Sequence, residues 1–362
     1  MFYYFLVPLT EYFSGFNLFR YITFRTAGAT ITAMLICLVF GPIFIKWLKK
    51  KQIGEEIRTD GPQSHKKKAG TPTMGGIIIL TGIVVAVLLW SNLSNFYILM
   101  ALLVTIWLGG LGYLDDYFKA IKKQKSGLVA RKKFAGQILL GVIFALSMMY
   151  LAPEGRYDGT TSIPFFKNFI FNLGILYLPW VVFVLTGASN AVNLADGLDG
   201  LAIGLIGICF MAFTAIVYVT GRLDYSNYLQ IEYLPGTGEL TVFCGAVLGS
   251  ALGFLWFNSH PAEVFMGDTG SLALGGALGA IAILLKKELL LVIVGGVFVV
   301  TALSVIIQVL SYRYRGGKRV FKMAPLHHHF ELSGWHESKV VIRFWIMGAL
   351  CALLTLATLK IR

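Results

Sequence analysis

SNFYILMALLVTIWLGGLGYLDD, residues Ser94–Asp116, is an almost unbroken apolar run that ends on two aspartates. About 20 residues at about 1.5 Å each cross the ~30 Å of hydrocarbon in a bilayer. With no water there to satisfy backbone polar groups, such a run must be helical. Comparable runs recur at about 22–45, 73–91, 134–152, 168–188, 199–220, 239–257, 272–285, 289–311 and 341–360. The chain is 57% hydrophobic and 14% charged, whereas a soluble domain carries roughly a quarter charged residues. The expected fold is therefore all-α: a polytopic integral membrane protein with about ten transmembrane helices. The short alternating segments of a transmembrane β-barrel do not occur.

Charge orients the spans. Stretches 46–72, 115–133 and 312–340 carry eight, seven and six Lys or Arg, 21 of the chain's 31. Basic loops stay in the cytoplasm, so these three face it, and an even number of spans puts both termini on the periplasmic side. The net charge of +13 then reflects topology and gives no reason to expect a nucleic-acid partner. Cys37, Cys209, Cys244 and Cys351 lie inside apolar runs without CxxC spacing and read as small packing residues. Residues 1–362 read as one transmembrane domain, with cytoplasmic loops at about 46–72, 115–133, 189–198, 258–271 and 312–340.

Acidic residues are scarce, and in this orientation Asp115, Asp116, Asp196, Asp199, Glu263 and Asp268 all fall at cytoplasmic ends of spans. Carboxylates at membrane depth are costly and usually functional. Asp115 and Asp116 point about 100° apart on a helix, so they cannot occupy identical places. In NAVNLADGLDG (Asn190–Gly200), Asn190, Asn193, Asp196 and Asp199 recur every three residues, which gathers them near one face if the segment is helical. In FMGDTGS (Phe265–Ser271), Asp268 begins a span; helix capping and metal binding are both open to it.

Lys66, Lys67 and Lys68 precede the second span, and Lys125, Arg131, Lys132 and Lys133 close the next cytoplasmic loop. They suit anionic lipid or a phosphorylated substrate. PLHHHFE brings His327, His328 and His329 to the same face. Adjacent histidines rarely converge on one ion, so they read as donors to phosphate or sugar, with a partly structural role open to His328 and His329. Oxygen-rich acids beside lysines suggest a hard cation, Mg²⁺, with phosphates as co-ligands, the equipment of phosphoryl transfer. A transporter is the rival class, but its charges would thread through the span centres.

The Asp115–Asp116 pair, NAVNLADGLDGLA, FMGDTGS and PLHHHFE, in this order across ten spans, resemble the polyprenyl-phosphate N-acetylhexosamine-1-phosphate transferases. HHHFE and TPTMGG resemble the branch whose donor is UDP-N-acetylmuramoyl-pentapeptide (UDP-MurNAc-pentapeptide) rather than UDP-N-acetylglucosamine. The resemblance implies an Mg²⁺-dependent enzyme of the bacterial inner membrane. It would transfer the phospho-sugar to undecaprenyl phosphate with release of UMP, and it would be a homodimer. Among site residues it implies Asp268 as the metal ligand and Asp115 with Asp116 at the lipid phosphate. It further implies Asn193 and Asp196 in the catalytic cleft, and Gly197, Leu198, Asp199, Phe265 and Lys68 at the uridine. Lys125 and Lys133 would be cleft cations. The acceptor phosphate is mostly dianionic at pH 7, so direct in-line attack on the β-phosphorus is expected, with a covalent aspartyl intermediate as the competing scheme.

Overall fold

The computed structural model describes residues 1–51, 70–124, 127–153, 159–164 and 170–360. Its α-helices begin with α1 (Phe2–Leu6), α2 (Ile22–Lys50), α3 (Gly76–Trp90), α4 (Phe96–Asp116) and α5 (Ala130–Tyr150). Next come α6 (Tyr177–Ala195), α7 (Leu201–Thr220), α8 (Leu223–Leu229), α9 (Leu240–Asn258) and α10 (Gly267–Leu284). The chain closes with α11 (Glu288–Val294), α12 (Gly296–Tyr314), α13 (Leu326–Glu331) and α14 (Glu337–Ala357). Among the described residues, nine of these helices are long and apolar enough to cross a membrane, and α3, with 15 residues, is a shorter apolar helix. At about 1.5 Å per residue α3 covers only ~22 Å. The extended chain before it is pinned instead: Phe265 N donates to Pro72 O, Gly75 N to Phe265 O and Gly76 N to Met266 O, each at 2.8 Å.

Helix α10 is the axis of the bundle. It is buried from Thr269 to Leu284 and packs on α4, α6, α3 and α7. Small residues permit that approach. A Cβ at Gly112 would collide with the Asp268 carbonyl, and one at Gly76 with the backbone of Gly270. Around this axis α2, α5, α12 and α14 present exposed apolar side chains, including Val39, Leu139, Val309 and Leu353, as lipid-facing helices do.

Three boundaries differ from the sequence reading. The expected span 289–311 is broken at Gly295, where α11 ends and α12 begins; adjacent glycines 295 and 296 are poor helix formers. The expected span 168–188 starts late. Ile170–Asn172 (β2) pairs antiparallel with Thr160–Ser162 (β1), and α6 begins at Tyr177. Helix α6 then runs on to Ala195, so most of the expected loop 189–198 is helical.

Both chain ends lie at the end of the bundle away from the α10 N-terminus. The Met1 ammonium donates to Leu88 O and Leu89 O at the finish of α3, and Lys360 Nζ to Tyr228 O beyond α7. There Arg25 and Glu239 form a buried ion pair.

Candidate active site

The N-terminus of α10 gathers the acids. Gly267, at φ +73°, turns the chain into the helix, and Asp268 and Thr269 open its first turn. The first backbone N–H groups of a helix have no partner within it. Here another helix supplies one. Asp116 accepts from Asp268 N at 3.0 Å through Oδ1, and from Thr269 N at 2.9 Å and Thr269 Oγ1 at 2.6 Å through Oδ2. Asp116 is 4% exposed, and both its oxygens are taken. It acts as an N-cap donated from α4, and its negative charge suits the positive end of the α10 dipole.

Asp115 faces the other way. Its Oδ1 accepts from Leu128 N at 2.6 Å, and its Oδ2 lies 2.5 Å from Lys119 Nζ and 3.8 Å from Lys133 Nζ. Asp268 meets the same two lysines: Oδ2 is 2.6 Å from Lys133 Nζ and 3.1 Å from Lys119 Nζ. Its second oxygen, Oδ1, accepts from Asn193 Nδ2 at 2.7 Å, and that amide also reaches Ser271 Oγ at 2.8 Å. Two carboxylates thus converge on two ammonium groups, a charge-balanced cluster. Lys119 comes from the π-helical turn that follows α4, where Tyr117–Ile121 keeps it one turn from Asp115. Its side chain is 44% exposed, so the cluster opens to one side.

The Asn190–Asp199 array divides along its length. Asn190 and Asn193 lie on α6, but Asn190 donates to Gln137 Oε1 at 3.0 Å and only Asn193 reaches Asp268. Asp196, half-buried, ends α6. Asp199 turns away, its Oδ2 3.0 Å from His260 Nδ1. Leu198 is a buried core residue, and Phe265 is half-buried beside the paired backbone of residues 72–76. The expected sites Lys68 and Lys125 lie outside the described residues.

The three histidines sit on a short helix, α13, and point three ways. His327 is fully buried against Gly197, where any Cβ would strike its Nε2. His328 Nδ1 is 2.8 Å from Glu331 Oε2. His329 Nδ1 accepts from Lys322 N at 3.1 Å, and its ring meets the edge of Phe321. His327 is thereby brought to the Asn193–Gly197 stretch. The sequence reading passed over Lys119 and Leu128. The position of Lys119, four residues after Asp115, was the available signal for one of them.

Comparison with known proteins shows what the chain is similar to. The model of the glycosyl transferase family 4 matches residues 98–286, and the phospho-N-acetylmuramoyl-pentapeptide-transferase signature 1 matches residues 68–80. A phospho-N-acetylmuramoyl-pentapeptide-transferase of Thermodesulfovibrio yellowstonii is 52% identical over the whole of both chains. One from Geobacter sp. strain M21 is 53% identical, again over both full lengths. One from Koribacter versatilis is 51% identical over 98% of this chain and 97% of its own.

Proposed function

The chain belongs to the glycosyl transferase family 4, among the phospho-N-acetylmuramoyl-pentapeptide-transferases, and from that premise we propose its reaction and the parts of this site that perform it. The donor is UDP-MurNAc-pentapeptide, the acceptor undecaprenyl phosphate, and the products are the lipid-linked pyrophosphoryl sugar-peptide (lipid I) and UMP. The observation that carries the reading is the convergence of Asp115 Oδ2 and Asp268 Oδ2 on the Lys119 ammonium, at 2.5 and 3.1 Å. A place where two carboxylates demand positive charge, open on one side, suits a cation and the phosphates it accompanies.

The donor set fits Mg²⁺. It is all oxygen, with one or two carboxylates leaving room for phosphates, as that ion prefers. Asp268 would hold the ion with Asp115 beside it, and the bound ion would supply charge neutralisation for the pyrophosphate. The remaining work falls to the chain's own residues. Lys119 and Lys133, released from Asp268, neutralise the donor phosphates and the departing UMP. Asn193 fixes the Asp268 rotamer through Oδ1, and Asp116 fixes the helix end that carries it.

Direct attack of the acceptor phosphate on the β-phosphorus needs no strong base, because that phosphate is already largely dianionic. Asp115, held by Lys119 and Leu128 N, then orients the lysine and takes the proton of the monoanionic fraction. A covalent route would make Asp268 the nucleophile, whereas here its carboxylate is given to the cation, with Oδ1 held by Asn193.

The same reading puts the protein in the bacterial inner membrane with the site facing the cytoplasm. It makes the protein a homodimer on resemblance alone, which crosslinking in native membranes tests. The decisive assay incubates purified protein with UDP-MurNAc-pentapeptide and a polyprenyl phosphate, with and without Mg²⁺, and measures UMP. Release only with both substrates and the metal is expected. Release from UDP-N-acetylglucosamine instead would overturn the donor, and a trapped phosphosugar–protein adduct without lipid would overturn direct attack.

A further inference from the structure

A buried polar contact lies behind the Asp268 cluster, between two of the helices that supply it. Gln137 is 2% exposed on α5, whose other buried residues are Leu140, Gly141, Phe144, Ala145 and Met148. Its amide meets α6 through both of its ends. Nε2 donates to Ser189 Oγ at 3.1 Å, and Oε1 accepts from Asn190 Nδ2 at 3.0 Å. The roles are fixed by what α6 does with its own hydrogens. Ser189 Oγ donates to Thr186 O at 3.1 Å, so towards Gln137 it can only accept. An ionised carboxylate of the same shape would have no hydrogen to offer it.

The place of this contact matters more than its strength. On α5, Lys133 precedes Gln137 by one helical turn; on α6, Asn193 follows Ser189 and Asn190 by one turn. Those two residues end on opposite oxygens of one carboxylate. Lys133 Nζ reaches Asp268 Oδ2 at 2.6 Å, and Asn193 Nδ2 reaches Oδ1 at 2.7 Å. The helices are also close where they cross: a Cβ at Gly141 would come within 2.9 Å of Val182 Cα. Trp107 Nε1 donates to Gly136 O at 3.1 Å, which ties α5 to α4, the helix that ends in Asp115 and Asp116.

We infer that Gln137 is a positioning residue for the transfer reaction: by fixing the register of α5 against α6, it holds Lys133 opposite Asn193 across Asp268. The inference rests on the reading of Lys133 and Asp268 proposed above. Its physical basis is the poverty of other register signals between membrane helices. Lipid tails are as apolar as leucine, so apolar packing alone sets the sliding of one span along another weakly. A doubly paired amide sets it well. A slide of one residue, about 1.5 Å, would draw both ends of the amide off their partners and carry Lys133 the same distance along α5.

Polar side chains at membrane depth are costly and are kept where they serve a function. Gln137 touches none of the reacting groups, so its function passes through the residues one turn away. The consequence is asymmetric. Donor affinity depends on many contacts, whereas the rate depends on a lysine placed to meet phosphate charge as it develops, and misplacement by about 1 Å can lower a rate about 10²-fold.

UMP release by the full-length chain in detergent, with both substrates and Mg²⁺, tests this. Gln137→Met should lower kcat by about 10- to 100-fold and leave the donor KM within about twofold. Added to Lys133→Ala, which removes the group being placed, Gln137→Met should cost less than about twofold more, because residues that act through one another are not additive. Ser189→Ala breaks the same contact from the other helix and is mild in a helix. It should lose less, show the same cancellation, and decide the matter should Gln137→Met fail to fold. Nitroxide labels on Arg131→Cys and Phe183→Cys, exposed positions of α5 and α6, in a Cys351→Ser background read the register without turnover. Gln137→Met should broaden or displace their distance distribution. Losses that multiply in full on Lys133→Ala would overturn the inference, as would an unchanged rate in folded Gln137→Met or an unchanged distance. Wild-type turnover in Lys133→Ala would strike the reading of the site itself, and the distance measurement tells that failure from failure of the register contact.

Discussion

Two ends of this bundle hold acids against bases in opposite ways. At the end bearing the chain termini, Arg25 spreads its guanidinium across Glu239, Nη1 to Oε2 at 2.7 Å and Nη2 to Oε1 at 2.6 Å. Arg25 is 1% exposed, its Nη1 also reaches Trp90 O at 3.4 Å, and its guanidinium carbon lies 4.8 Å from the Tyr3 ring centroid. That pair is a closed fork. At the α10 N-terminus, Lys119 and Lys133 are point charges shared between Asp115 and Asp268, and Lys119 remains 44% exposed. A planar guanidinium locks one geometry, whereas an ammonium on a flexible stem can change partners. The closed pair therefore suits the fold, and the open cluster is the one able to exchange partners with an incoming ligand.

The comparison breaks first at Asp268. Asp268→Asn should lower the UMP release rate by about 10³-fold or more, the scale on which removal of a preorganised charge acts. The melting temperature in detergent should change little. Near-normal turnover at saturating Mg²⁺ would take the open cluster out of the reaction. Arg25→Ala is the converse. Leaving the buried Glu239 carboxylate unpaired should cost about 3–5 kcal/mol of stability, with turnover per folded molecule within about twofold. Arg25→Lys should recover only part of the loss, since it cannot rebuild the fork. A loss of turnover without a lower melting temperature would erase the distinction between the two ends.

How much of this was legible from residues alone depends on the range of the forces. The ten apolar stretches are a local signal, and each holds an apolar helix, nine of them long enough to cross a membrane, because hydrocarbon leaves the backbone no alternative. The interruption at Gly295 was not legible, since a glycine pair is tolerated inside many membrane helices. In the site, helical spacing set Asp115 and Asp116 apart, and the two do take different partners. The same spacing misled over Asn190–Asp199. Helix α6 ends at Ala195, so Asp199 leaves the face that Asn193 occupies and goes to His260 and Glu337, a meeting of three segments that no local pattern records. The run of three histidines drew attention by composition. Burial then divided them: His327 against Gly197, His328 on Glu331, His329 beside Phe321.

The finest division lies within Asp115–Asp116, where neighbouring carboxylates differ in what they hold. Asp115 meets the ammonium groups of long lysine side chains, whereas Asp116 meets Asp268 N, Thr269 N and Thr269 Oγ1 at the start of α10. Asp116→Asn keeps the shape but turns an amide N–H₂ toward one of those donor sets, so a capping contact is lost and a buried donor is left unpaired. Such a loss costs about 1–3 kcal/mol. Because the cap carries Asp268, stability and turnover should fall together, and a ligand that binds the open cluster should restore part of both. A rate loss as large as that of Asp268→Asn with the melting temperature unchanged would instead put Asp116 in direct contact with the reacting phosphates. The two aspartates would then share one role, despite pointing about 100° apart on their helix.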